Sequence, residues 1–272
     1  MQKLWLMLLF CIQSFVTMAE PLILVDAVAL LKGPAEKAGI EGLALRRIMS
    51  YYPGEYQIED ISRNRARAWV KSHSSACIPW LKKTAEREQD FLFTLPYMLE
   101  DALQLVVLNG SEWQSILDKT GTISLQELLT QKKPPLLGIE ANRSYGARLD
   151  QLLVSLSGSR AIYLRSSSSE AVGSLLPMLE KGFIQLILEY KKIADRSGLD
   201  LRYYSLEEAE AVNMVYFACS KGVTGQAVVD LLDQAIQKAS QDKEYRSLVL
   251  SGLKPELRQY ALQLWLESLQ HH

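Results

Sequence analysis

Three short stretches carry the side chains with most chemistry to offer. In Lys82-Lys83-Thr84-Ala85-Glu86-Arg87-Glu88, a hydroxyl and a guanidinium stand three residues apart, and a planar guanidinium matches the two oxygens of a carboxylate. The same Arg87 fits equally well on a surface helix, paired with Glu86 or Glu88. Asn142-Arg143-Ser144-Tyr145-Gly146 stands at a predicted helix start, where unpaired N–H groups and the helix dipole favour an anion. Those residues also suit a plain N-cap followed by a core tyrosine. Glu189-Tyr190 closes an apolar run, which sets a carboxylate at a strand end, either as a general acid or base or as a solvated terminus. Asp26 ends the first apolar run in the same way, and Trp80 offers a flat stacking surface.

Composition narrows the field. The 272 residues include 30 Lys+Arg and 31 Asp+Glu, so no global positive charge invites a polyanion, and nucleic acid is a poor partner. Three His and three Cys, none in C-x-x-C or H-x-x-x-H spacing, leave little for a zinc site. No cofactor is expected.

The N-terminus has the form of a secretory signal: Lys3, the apolar run Leu4 to Ile12, then a more polar stretch ending at Ala19. Cleavage after Ala19 removes 19 of the 272 residues and one of the 30 basic ones, leaving 253 residues with a formal charge of -2. Phe10 before Cys11 argues against a lipoprotein, since a lipobox needs a small residue there. The expected product is exported to the periplasm and soluble. Cys77 and Cys219 then remain in a compartment where disulfides persist, and spacing alone fits one long-range bridge or two buried thiols.

The elements that must position these residues alternate between strand and helix. Strands are expected at Leu22–Val25, Tyr56–Ile61, Ala76–Leu81, Leu103–Leu108, Leu136–Ile139, Ala161–Leu164, Phe183–Leu188 and Val215–Cys219. Pro79 confines its strand to an edge, a bulge or an end. Helices are expected at Gly42–Tyr52, stopped by Pro53-Gly54, at the basic run Arg63–Val70, after Ser124 with Glu127 in capping-box spacing, at 175–179, and from Thr224 onward. Ser166–Ser169 reads as a polar loop or helix start. The alternation implies an α/β protein with mostly parallel sheets.

The run Lys82-x-Thr84-x-x-Arg87-x-x-x-Phe91-x-Phe93-Thr94-x-Pro96-Tyr97 resembles the "T-x-x-R, then F-S-x-P-Y" segment of type II periplasmic solute-binding proteins, the extracellular solute-binding family 3. Leu105-Val106-Val107 with Asn109-Gly110 and Ile123-Ser124-Leu125, then Gly138-Ile139 with Arg143-Ser144-Tyr145-Gly146 and Asp150, then Val215 to Lys221, follow in the family's order. The Arg-Ser-Tyr-Gly piece and a Cys in each of two strands resemble a subgroup of that superfamily set apart by them. The resemblance implies a two-lobed fold joined by two crossing hinge strands, with lobe one at 20–107 plus 214–272 and lobe two at 108–213. It sets the strands of Cys77 and Cys219 side by side and so implies a disulfide.

By the same resemblance, Arg87 and Thr84 bind a ligand carboxylate, Asn142, Arg143, Ser144 and Tyr145 line the second lobe, and Glu189 with Tyr190 reads the ligand's amino group. Asp26, Trp80 and Lys82 complete the expected set. Two positions depart from the family: Trp80 and Lys82 stand where small hydroxyl residues are usual, pointing to a bulkier or more anionic ligand than a simple α-amino acid. The implied function is capture of a small polar solute by a monomer for a transporter permease or membrane sensor. A dehydratase-like lyase using Glu189 or Asp26, and an interaction protein that has lost its ligand, are the alternatives.

Overall fold

The computed structural model describes residues 20–270 apart from 35, 37, 142 and 167–174. The expected signal, Asn142 and most of the Ser166–Ser169 segment thus lie outside the described residues. The first run of elements is β1 (Leu22–Val25), α1 (Val28–Leu31), α2 (Gly39–Tyr51), β2 (Tyr56–Glu59), α3 (Arg63–Lys71), β3 (Ala76–Leu81), α4 (Ala85–Glu88), β4 (Leu92–Phe93) and β5 (Met98–Asp101). The second is β6 (Gln104–Leu108), α5 (Glu112–Leu117), α6 (Leu125–Thr130), β7 (Leu137–Glu140), α7 (Ala147–Ser155), β8 (Ile162–Arg165), α8 (Leu176–Glu180), β9 (Leu186–Glu189), α9 (Lys191–Ala194) and β10 (Leu201–Ser205). The chain then returns through β11 (Val212–Cys219), α10 (Val223–Gln241), α11 (Lys243–Ser251) and α12 (Arg258–Ser268). No helix among the described residues is long and apolar enough to cross a membrane.

These strands make two sheets, ordered β2-β1-β3-β11-β4 with β5 on β11, and β10-β6-β9-β7-β8. Each has a parallel trio, β2-β1-β3 and β9-β7-β8. The expectation of mostly parallel sheets needs correction beyond those trios. β11 runs antiparallel to β3, β4 and β5, and β6 runs antiparallel to β9 and β10. The cause is the pair of crossings: β5 leads into β6 and β10 into β11, so the two connections run against each other from one sheet to the next. β6 hydrogen-bonds only within the second sheet, although residues up to 107 were expected in the first lobe.

Smaller differences have local causes. Phe183 is 63% exposed and the strand begins only at Leu186, because Gly182 at φ 71° turns the chain just before it. The short β4 and β5 and the tyrosine-rich β10 carry too little apolar alternation to be read beforehand. Pro79 sits in a central strand and not at an edge, and the strand bulges around it: Ile78 faces Ala218 while Leu81 faces Tyr216, two residues of β3 opposite one of β11. Phe217, released from β3, exchanges hydrogen bonds with Thr94: its N–H donates to Oγ1 at 3.1 Å, and its carbonyl accepts from the Thr94 N–H at 3.1 Å.

The first-lobe core gathers Tyr97, Phe217, Tyr245 and Trp265, all fully buried, between the sheet and α2, α10, α11 and α12. Full burial of such side chains contributes about 2–3 kcal/mol each, provided their polar atoms are satisfied. They are: Trp265 Nε1 donates to the Pro96 carbonyl at 2.7 Å, Tyr97 Oη to the Pro79 carbonyl at 2.6 Å, and Tyr245 Oη to the Tyr97 carbonyl. Cys77 and Cys219 face each other across β3 and β11 and form a disulfide, Cα to Cα 4.0 Å. The second sheet has apolar clusters on both faces, one around Leu105, Leu137 and Leu188 and one around Val106, Ile184 and Ile187.

Candidate functional site

The carboxyl ends of the strands and the two crossings bring most of the singled-out residues to the junction of the lobes. On the first lobe, the chain leaves β3 at Leu81 and Thr84 caps α4, its hydroxyl accepting from the Arg87 N–H at 3.3 Å. Arg87 turns back, and Nη1 donates to the Lys82 carbonyl at 2.9 Å. Thr84 and Arg87 are therefore locked to the same turn. Glu88 pairs with Lys83 at 3.2 Å and so is not the partner of Arg87 that a plain surface helix would supply. Burial, with Arg67 nearby, pulls the Arg87 pKa down, against the opposing pull of Asp150 and Glu86.

Lys82 Nζ donates to Asn213 Oδ1 on β11. Its pKa is lowered by burial, while Glu210, Glu100 and Asp150 act in the opposite direction. Asp26 has a left-handed φ of 57°, a strain that non-glycine residues adopt sparingly, and its carbonyl accepts from Trp80 Nε1 at 3.1 Å. The two are thus joined through backbone, with the Trp80 ring 6.1 Å from that of Tyr97.

On the second lobe, Arg143 lies between β7 and α7 and is bonded to Glu189 at both ends of its fork, Nη1 to Oε2 at 2.8 Å and Nη2 to Oε1 at 2.6 Å. Glu189 is 2% exposed and also accepts from the Tyr190 N–H at 2.9 Å. Burial works to lower the Arg143 pKa, but the charge and hydrogen bonds of Glu189 outweigh it and raise it, so the guanidinium stays charged. Glu140 approaches to 3.7 Å and the Tyr145 ring lies 5.1 Å below the guanidinium. Tyr145 is buried, which pushes its pKa up to about 12, and its hydroxyl accepts from the Glu140 N–H at 2.8 Å.

The start of α7 is served from within the chain. Asp150 accepts from the Ser144 hydroxyl at 2.5 Å and from the Tyr145 N–H at 2.7 Å, and the Gly146 N–H reaches Ser144 Oγ at 3.4 Å. Asp150 thereby supplies the negative charge that a helix start attracts. Gly146 has φ 109°, and a Cβ there would stand 3.6 Å from Lys82 Nζ and 3.5 Å from Glu210 Oε1. The Lys82 head thus lies against the second-lobe turn, and burial, with the charge of Glu100 on β5, raises the Tyr190 pKa.

The singled-out residues thus gather as Lys82 with Thr84 and Arg87, Arg143 with Tyr145 and Glu189, Ser144 with Asp150, and Asp26 with Trp80. Sequence reading missed Glu100, Glu140, Asn213 and Gln104. Two of these had a signal: Asn213 and Gln104 are polar residues inside otherwise apolar strands, and both are buried. Gln104 Oε1 is the one buried side-chain polar atom without a hydrogen-bond partner among the described residues. No cluster of three or more His, Cys, Asp or Glu suited to a metal occurs among them either.

This layout of two sheets exchanging strands through an antiparallel pair of crossings recurs in solved structures. The arginine-, lysine-, histidine-binding protein ArtJ from Geobacillus stearothermophilus matches with a TM-score of 0.64 at 15% identity, over 89% of this chain and 99% of its own. The fold is that of the type II periplasmic binding proteins. An amino acid ABC transporter substrate-binding protein, AbpA, from Streptococcus pneumoniae, solved with L-arginine, gives a TM-score of 0.60 at 17% identity over 85% of this chain and 94% of its own. A putative L-cystine ABC transporter from Listeria monocytogenes gives 0.62 at 15% identity over 87% and 97%. No protein-family profile and no curated protein matches the chain. The binding-protein fold is thus evident from shape, with little shared sequence.

Proposed function

We propose that this chain captures a small polar, carboxylate-bearing, amino-acid-like solute between its lobes and presents it to a transporter permease or a membrane sensor, as a periplasmic monomer freed of residues 1–19. The observation that carries the reading is the meeting of Lys82, Thr84 and Arg87 from one lobe with Gly146, Asp150 and the Arg143–Glu189 pair from the other, at the crossing strands. The likeness to amino-acid-importer binding proteins supports it. Arg87 and Thr84 receive the carboxylate; closure about the crossings near residues 102–103 and 206–211 carries the signal. That division moves β6 into the second lobe. Asp26, Trp80, Ser144, Tyr145 and Tyr190 shape the walls.

Thermal-shift screening of residues 20–272 against amino acids, hydroxy acids and other small carboxylates tests this. A micromolar ligand at millimolar concentration stabilises by about 4 kcal/mol, and Arg87→Ala should weaken it roughly 10- to 100-fold, the worth of a charge-assisted pair. A screen without any stabilising compound would sink the reading in favour of an interaction protein. Turnover of a hit by the pure protein would mark the cleft as an enzyme's.

A further inference from the structure

Deep in the second-lobe wall, Arg143 is surrounded as a bound cation would be. Both Glu189 oxygens accept from its fork, Glu140 brings a second carboxylate to 3.7 Å, and the Tyr145 ring lies 5.1 Å away. Two carboxylates and an aromatic face are what a free guanidinium would need for recognition. The guanidinium present is the chain's own, delivered by the turn that Asp150 fixes through Ser144 and Tyr145. The polar atom beside it that lacks a partner is neutral: Gln104, in register opposite Glu189, has a buried Oε1 with no hydrogen-bond partner among the described residues.

We infer that Arg143 is a built-in guanidinium ligand that fills the cation subsite of the second lobe, so that the cleft refuses cationic solutes and takes a carboxylate whose other polar end is a neutral donor, a hydroxyl or an amide, read by Gln104. This deepens the solute-binding reading and rests on it for the natural ligand. The chemistry of the subsite itself is independent of that ligand. A cation offered to the wild-type wall meets Glu189 already neutralised and its two oxygens already spent. Removing the Arg143 side chain leaves a buried carboxylate without its counter-ion, which favours entry of any planar cation small enough to follow.

The test uses the full mature chain, the Arg143→Ala variant and methylguanidinium as the probe, with methylurea as its neutral isostere. Arg143→Ala should melt several degrees below wild type, and about 20 mM methylguanidinium should raise it by roughly 3 °C or more. Wild type should not respond, methylurea should do nothing, and Arg143→Ala/Glu189→Gln should lose the response. If Arg143→Ala does not stay folded, its refolding yield with and without the probe reads the same quantity, recovery supporting the inference. A folded Arg143→Ala indifferent to the probe, a refolding yield that the probe leaves unchanged, or wild type that binds methylguanidinium or L-arginine through Glu189, would each overturn it. None of these outcomes depends on whether the solute screen finds a natural ligand, so the two readings fail separately.

Discussion

The two walls of the cleft hold their cations against different partners. On the first lobe, Lys82 donates to the Asn213 amide and Arg87 to a backbone carbonyl, while the carboxylates of Glu210, Glu100 and Asp150 act on Lys82 and those of Asp150 and Glu86 on Arg87 through charge. On the second, Arg143 donates to a buried carboxylate, and the pair is neutral as a unit. The Arg143–Glu189 pair is complete in itself, whereas the carboxylates that act on Lys82 come from both lobes. In the proposed function this contrast gives the first lobe the attraction for an anion and the second the fit to its shape. It extends to the scaffolding, since a disulfide between two strands underlies the first wall and an ion pair between a loop and a strand end underlies the second.

The largest effect should come from the covalent side. The Cys77–Cys219 bridge closes 142 residues of sequence separation, which the chain-entropy model values at about 5 kcal/mol. Cys77→Ser/Cys219→Ser should therefore melt about 10–20 °C below the oxidised protein, as calorimetry would measure. Because the loop enclosed by the bridge contains the whole second sheet, the cost acts on the unfolded chain and the cleft geometry should survive. A bridge-free variant that kept its melting temperature would show that β3 and β11 hold the first wall without it.

The second wall breaks differently. Glu189→Gln leaves the buried Arg143 only the Glu140 carboxylate, 3.7 Å away, and should cost about 3 kcal/mol, whereas Arg143→Met/Glu189→Met should be close to neutral, because apolar packing replaces a pair that had to be desolvated. Urea melts of the two variants check this. Equal losses in both would mean that the pair organises the turn before α7 and that its charge is incidental.

How much of this was legible beforehand follows from what each signal depends on. β1, β7 and β11 announce themselves as continuous apolar runs because both faces are covered. β10 hides, since an edge strand reading Leu-Arg-Tyr-Tyr-Ser has no need of alternation. Pro79 correctly signalled a break in pairing, and only the partner strand could show that the break is a bulge. In the site, Thr84 and Arg87 were readable because their geometry is one local turn. Arg143 with Glu189 and Lys82 with Asn213 are joined across 46 and 131 residues, and nothing local encodes such pairings. The start of α7 looked open to an anion because Asp150, visible in the sequence, was not recognised as its internal occupant.

The smallest effect sharpens the contrast where both lobes meet. Glu41 on α2 pairs with Lys192 on α9 at 2.5 Å and lies 3.8 Å from Arg196. Burial would raise the Glu41 pKa, but Lys192 and Arg196 outweigh it and hold the carboxyl below its ordinary 4.5. A carboxylate with a depressed folded-state pKa stabilises the protein fully above its unfolded value and loses that contribution as pH falls through the folded one. The deficit of Lys192→Ala, about 1 kcal/mol or less for so partly exposed a group, should thus be present at neutral pH and shrink below about pH 4.5. Melting temperatures of wild type and variant across that range read it directly. Unlike the hydrogen bonds of Lys82 to Asn213 and of Arg143 to Glu189, which are made within one lobe, this contact exists only while the lobes are together. A solute that closes the cleft should therefore lose affinity in Lys192→Ala, and unchanged affinity would remove Glu41 from any part in closure.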